Sequence, residues 1–211
     1  MNPIPIDVVV EDELSEAVAR KLLESSSQSY ALRIVYSQGG YGYIKKNICG
    51  FNNAAKGTPY LVVTDLDTED CAPRLIDKWF NKRTVQPNLL FRVAVKEVEA
   101  WLLAHRSAFA EFVGVREGLV PQNVEQIDDP KKKLIDIVRR SRRKRIREDI
   151  VPPQRSTREQ GPDYNGRLVR FVESHWDPRL CTSVCRSLEK AIHRIDSFVP
   201  SWISPDEDGK I

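Results

Sequence analysis

Cysteine is scarce and unpatterned in this chain. Cys49, Cys71, Cys181 and Cys185 form no CxxC pair and no dense framework. That excludes a disulfide-stapled scaffold and points to a reduced, cytoplasmic protein. Long apolar runs are missing too: no stretch approaches the roughly 20 residues a membrane helix needs. Met1–Asp7 lacks the basic start and apolar core of a secretion signal, so no membrane is expected among its partners. Glycine is low, ten residues beside 13 prolines in 211, which excludes collagen-like and Gly/Ser-rich chains. There is no internal repeat and no low-complexity tract. Neither GxxxxGK(S/T) nor G-x-S-x-G occurs, which sets aside P-loop and α/β-hydrolase chemistry.

What is present is a globular composition, 41% apolar and 30% charged, long enough to bury a sizeable core. The formal net charge of +3 conceals an asymmetry. Lys131–Arg147 holds ten basic residues and one acid, Asp136, so it carries +9, while everything else sums to −6.

Four short runs read as strands covered on both faces: Ile6–Val10, Leu32–Tyr36, Tyr60–Thr64 and Leu90–Val95. Helical stripes lie between and after them. Leu14, Ala17, Val18 and Leu22 form one; Ala72, Leu75, Ile76, Trp79 and Phe80 form another; Val98, Trp101 and Leu102 follow the fourth strand. Strands alternating with helices predict an α/β fold with a parallel sheet of about four strands. Beyond Gly118 no strand is legible. Residues 1–117 are therefore expected to form the α/β domain, and 118–211 a helical extension carrying the basic segment 131–147. In that extension, helices are predicted from Lys131, over Tyr164–Trp176 and over Leu180–Phe198. A loop is predicted over Arg155–Asp163, Trp202 is expected to dock the last segment, and Ser204–Ile211 is expected to fray.

Acids cluster where strands end. Glu11-Asp12-Glu13 follows the first strand, Asp65-Leu66-Asp67 the third and Glu97-Val98-Glu99 the fourth. In a parallel α/β sheet, ligands bind beyond the carboxyl ends of the strands. Carboxylates converging there repel one another unless a cation neutralises them, and an all-oxygen set suits Mg²⁺ or Mn²⁺. The matching chemistry is phosphoryl transfer. A single acid at a strand end has a simpler explanation, since the following helix N-terminus favours negative charge; it is the set of three that points to a site. Alternation would put Asp65 and Asp67 on one side, and a helical backbone, with about 200° between residues two apart, would turn only one of Glu97 and Glu99 toward it. A receiver domain fits poorly, because Lys96 follows the fourth strand rather than the fifth. A haloacid-dehalogenase-like phosphatase needs its DxD after the first strand.

Taken together, these residues resemble the TOPRIM fold of topoisomerases, primases and OLD-type nucleases, which has a Glu after its first strand and a DxD after its third. More closely, they resemble an uncharacterised family of TOPRIM-like bacterial proteins. The shared segments are Val10-Glu11-Asp12-Glu13, Thr64-Asp65-Leu66-Asp67, Cys71-Ala72-Pro73 and Glu97-Val98-Glu99-Ala100-Trp101-Leu102-Leu103-Ala104. They cover residues 6–105. The resemblance implies Mg²⁺- or Mn²⁺-dependent cleavage of DNA or RNA phosphodiesters, in phage defence, with a partner protein from the same system as one possibility. It implies Glu11 as acid/base or metal ligand, Asp65 and Asp67 as metal ligands, and Glu97 or Glu99 in support. Asp12 stands where such nucleases often carry Gly, and Ser15 and Glu16 stand about one turn after Glu11, where many carry a second acid. The rival reading is a non-catalytic module that binds nucleic acid or a partner and keeps a degenerate metal site.

Two basic features complete the candidate set. Lys45 and Lys46 follow Gly39-Gly40-Tyr41-Gly42, where backbone amides at a helix start could hold a phosphate; a plain strand-to-helix turn explains the glycines equally simply. Arg139, Arg140, Arg142, Arg143, Lys144, Arg145 and Arg147 place seven cations in nine residues, a candidate surface for nucleic-acid backbone. No aromatic is interleaved, so base stacking is not indicated. Cys181 and Cys185, four apart, match no familiar zinc spacing and read as buried apolar thiols.

Overall fold

The computed structural model describes residues 2–37 and 39–201. Trp202, the terminal segment Ser204–Ile211 and Gln38 lie outside the described residues. Strands β1 (Ile4–Val9), β2 (Tyr30–Tyr36), β3 (Tyr60–Asp65) and β4 (Leu89–Ala94) form one all-parallel sheet in the order β2-β1-β3-β4. All four were legible in the sequence, each to within two residues. The α/β class and the flanking helices are those expected.

Both faces of the central strands are apolar because both are covered. Val9, Val62, Phe91 and Val93 meet Ile44 and Ile48 of α2 (Gly40–Ala54) and Leu75, Trp79 and Phe80 of α3 (Ala72–Phe80). On the other face, Ile6, Val8, Val10, Leu61, Val63, Leu90 and Ala94 meet α1 (Glu13–Glu24). That core continues without a break into α4 (Val98–Ala104), α5 (Arg106–Val113), α6 (Pro130–Val138), α8 (Tyr164–Ser174) and α9 (Arg186–Asp196). Leu168, Phe171 and Val172 of α8 are fully buried in it. Among the described residues no strand occurs after residue 118, and no helix is long and apolar enough to cross a membrane.

Two sequence expectations are corrected. The basic segment is not one helix. α6 stops at Val138, a turn follows, and α7 (Lys144–Ile150) begins anew. The buried Ser141 sits in that turn, its hydroxyl bonded to the Val113 carbonyl. The segment from Leu180 is not continuous either. Asp177 caps a short 3-10 turn, Pro178–Cys181, and α9 begins only at Arg186. Glu125 defines that start: its carboxylate accepts from the Ser187 N–H at 2.7 Å and the Arg186 N–H at 3.2 Å. Cys181 and Cys185 therefore flank a break rather than share a helix. Burial pushes both thiols up to about 12, and they behave as apolar side chains.

The Arg155–Asp163 loop, predicted from its polar composition, returns tightly onto α7. The Gly161 N–H donates to the Ile150 carbonyl at 2.9 Å. A Cβ at Gly161 would lie 2.3 Å from the Asp149 carbonyl oxygen and 2.6 Å from the Ile150 carbonyl carbon. Gly161→Ala is therefore expected to cost about 2–3 kcal/mol, because backbone must move on one side or the other. The melting temperature should fall by roughly 4–12 °C; an unchanged value would show that the loop has room the structure does not grant it.

Candidate active site at the strand ends

β1, β3 and β4 are neighbours, so their carboxyl ends deliver acids to one place. Glu11 leaves β1 and turns toward β3. Its Oε1 accepts from the Thr64 hydroxyl at 2.6 Å and from the Asp65 N–H at 3.0 Å. Asp65, the last residue of β3, turns toward the β4 exit, where its Oδ1 accepts from the Val98 N–H at 2.9 Å. Each carboxylate is thus fixed through one oxygen, Glu11 by β3 and Asp65 by the start of α4. The other oxygens, Glu11 Oε2 and Asp65 Oδ2, accept no protein hydrogen bond among the described residues.

Glu97 and Glu99 both reach this cluster. Glu97 is the extended residue before α4, and Glu99 lies in its first turn, buried at 2% exposure. The expectation that only one would face the site is corrected: the backbone changes from extended to helical between them. Glu97 Oε2 accepts from the Lys131 N–H at 2.9 Å, so it caps α6 together with Asp129, which accepts from the Lys132 N–H at 2.7 Å. Glu99 Oε1 accepts from the Tyr164 hydroxyl at 2.9 Å and faces the Lys131 ammonium at 3.8 Å.

Asp67 lies beyond the strand with φ 52°, exposed, so strand alternation does not govern it. Its charge still bears on Glu11 and Glu97. Asp12 is the N-cap of α1, accepting from the Ser15 N–H at 2.8 Å. That gives Asp12 a structural task in the segment after Glu11.

The electrostatics follow from burial and crowding. Burial first, then the charges of Glu99, Glu11 and Glu97, push the Asp65 carboxyl well above its ordinary range, against the Val98 N–H. Burial also raises Glu11, opposed by the hydrogen bonds from Thr64 and Asp65, and raises Glu97, opposed by Lys131. Glu99 is pushed up to about 7, chiefly by burial and with Lys131 holding it down. For Lys131, burial works against the charged form, but Glu99, Glu97, Asp65 and Asp12 outweigh it and the ammonium is held more firmly than usual. Lys131 and Tyr164 were not singled out in the sequence as site residues. Only Lys131's place directly after Asp129-Pro130, a helix-start signal, distinguished it from the other basic residues near it.

The basic residues divide. Arg143 donates to the Phe112 carbonyl at the end of α5, and Arg147 to the Ser141 carbonyl, so both serve internal turns. Arg140, Arg142, Lys144 and Arg145 are exposed. Arg139 lines a cleft of about 650 Å³ that also takes in Glu97, Lys131, Lys132, Arg155 and Arg158. It continues past Pro152–Gln154 into a second cleft of about 620 Å³ lined by Arg139 and Arg147. Lys45 and Lys46 are exposed on α2 and touch none of the carboxylates; Lys45 instead lies over the Tyr41 ring at 5.7 Å. The glycines before them shape the turn: Gly39 has φ 134°, and a Cβ there would meet the Tyr43 Cβ at 2.5 Å.

No protein-family profile, no curated protein and no solved structure matches the chain.

The donor set is all oxygen, with one unused oxygen each on Glu11 and Asp65, which fits a hard divalent cation. Among the described residues, however, no three acidic, histidine or cysteine side chains stand together as a ready ligand set. Among the described residues, the side-chain cation that faces these carboxylates is that of Lys131.

Glu99 supplies a pH test. It holds its proton more tightly folded than unfolded, so its stabilising contribution is complete below about pH 4.5 and is lost as pH rises through about 7. Glu99→Gln keeps an acceptor for Tyr164 without the charge. Relative to the parent, it should gain on the order of 3 kcal/mol between pH 4.5 and pH 8 in urea unfolding with EDTA present. Parallel pH profiles for the two proteins would show that Glu99 ionises without strain.

Proposed function

We propose that this chain is a TOPRIM-like, divalent-metal-dependent nuclease that hydrolyses phosphodiesters of DNA or RNA. The observation that carries the reading is Asp65, buried among Glu11, Glu97 and Glu99 at the ends of three adjacent parallel strands. Such crowding of like charges is costly to a fold and is typical of functional sites. Glu11, Asp65, Asp67 and Glu97 would hold Mg²⁺ or Mn²⁺. The ion would polarise the phosphate and lower the pKa of an attacking water.

The chain's own residues do the rest. Thr64 and the Asp65 N–H fix the Glu11 carboxylate, and the Val98 N–H fixes Asp65. Lys131 brings a firmly held positive charge beside these carboxylates, suited to an anionic substrate and its more highly charged transition state. Tyr164 orients Glu99 from α8. The cleft that opens next to Glu97 is lined by Lys132, Arg139, Arg155 and Arg158 and also by Asp129, Asp136 and Glu159, with Arg139 lying 3.4 Å from Asp136; its cations would hold a phosphate backbone. The wider role in phage defence rests on the sequence resemblance alone.

One observation favours the second reading, a non-catalytic nucleic-acid- or partner-binding module. Lys131 already neutralises part of the cluster, and among the described residues no ready three-donor ligand set is formed. Titration with Mn²⁺ separates the two. On the nuclease reading, the ion raises the melting temperature of the parent protein, since it binds only the folded state, and Asp65→Asn abolishes the rise. Mg²⁺- or Mn²⁺-dependent cleavage of single- and double-stranded DNA and RNA should fall about a hundredfold or more in Asp65→Asn and in Lys131→Ala. A parent protein that neither shifts nor cuts, yet still binds nucleic acid, is the degenerate module.

The cleft makes a separate prediction. Replacing Lys132 and Arg139 by Ala should weaken nucleic-acid binding across all sequences and flatten its salt dependence by about one unit of slope per lost phosphate contact. Replacing Lys45 and Lys46 should leave that slope unchanged.

A further inference from the structure

A separate cavity, lined by none of the strand-end carboxylates, lies along the edge strand β4 between α3 and α9. It measures about 310 Å³, at the small end of ligand-sized pockets, and its apolar walls include Ile76, Phe91 and Val93. Three cations line it: Arg92 from β4, and Arg186 and Lys190 from α9. Glu125 lines it too, but both of its oxygens are engaged by the first N–H groups of α9. Among the described residues the buried Arg92 Nε has no hydrogen-bond partner. Burial lowers the guanidinium to about 10, and the nearby charge that bears on it, Arg194, is also positive. A buried cation without a counter-charge costs stability, and folds usually pair such a group or lose it.

We infer that this cavity binds a small anionic ligand: an oxyanion head, phosphate or carboxylate, on an apolar body. Arg92 is the anchor and Arg186 and Lys190 complete the charge at the rim. A planar guanidinium suits an oxyanion, which would supply the missing counter-charge. The apolar walls would take the body of the ligand. The inference does not depend on the carboxylate cluster being a metal site.

The test is thermal unfolding of the full chain, in EDTA, with phenyl phosphate, benzoate, inorganic phosphate or phenol. Phenyl phosphate or benzoate should raise the melting temperature saturably, by roughly 5–10 °C at a hundredfold excess over Kd. Which of the two does so identifies the head group. Phenol, lacking the head, and inorganic phosphate, lacking the body, should do little. Arg92→Met should abolish the shift and, without ligand, raise the melting temperature. Asp65→Asn should keep the shift, which separates this site from the strand-end carboxylates. Should Arg92→Met not fold, the exposed pair Arg186→Ala/Lys190→Ala must reduce the apparent affinity at least severalfold. The proposal is overturned by no shift with either aromatic anion, by an equal shift with inorganic phosphate, or by a shift that survives the substitutions. A lower melting temperature for ligand-free Arg92→Met would also overturn it, by making the guanidinium a structural prop.

Discussion

Repulsion between carboxylates that the fold itself brings together is the constraint around which much of this molecule is arranged. Parallel strands point the same way, so the ends of β1, β3 and β4 deliver Glu11, Asp65 and Glu97 to one edge of the sheet, with Glu99 close behind. The chain contains the resulting field by local means. Thr64 and two backbone N–H groups hold one oxygen each of Glu11 and Asp65, the start of α6 receives Glu97, and Lys131 and Tyr164 receive Glu99. None of these partners removes the crowding; burial still raises Asp65, Glu11, Glu97 and Glu99. An arrangement that stores unfavourable electrostatics in this way favours a site that binds something positive or handles protons over an inert surface.

How much of this was legible depended on whether the signal was local. The strands were, because covering both faces demands near-continuous Val, Ile and Leu, as in Tyr60–Thr64. The carboxylates were too, because a strand end is a position in sequence as well as in space. The α9 start was not: its cap is Glu125, some sixty residues earlier, and no window around Leu180 contains it. The break between α6 and α7 was hidden for a related reason, since Ser141 bonds back to Val113. Lys131 and Tyr164 were missed as site residues because their roles exist only once α6 and α8 have packed beside β4's exit. Composition placed Lys131 among ten basic residues; geometry separates it from the other nine.

The basic segment shows how charge counting mixes two jobs. Arg143 spends its guanidinium on the Phe112 carbonyl in the last turn of α5, where a cation offsets the exposed C-terminal dipole, and Arg147 spends its own on the Ser141 carbonyl in the turn before α7. Arg139 lines the cleft that runs to Glu97, while Arg140, Arg142, Lys144 and Arg145 stand in solvent. A sequence of seven cations in nine is therefore part scaffold and part surface, and only the surface part can meet a polyanion.

The hydrogen bond from Tyr164 to Glu99 crosses from a helix late in the chain to a carboxylate at the mouth of the sheet. Lys131 makes a similar crossing from α6. Shorn of its last ninety-odd residues, the sheet would keep Glu99 but lose both groups that steady it. Gene rearrangements that shuffle the front half onto a new tail would therefore inherit an orphaned charge, so descent should keep the two stretches together.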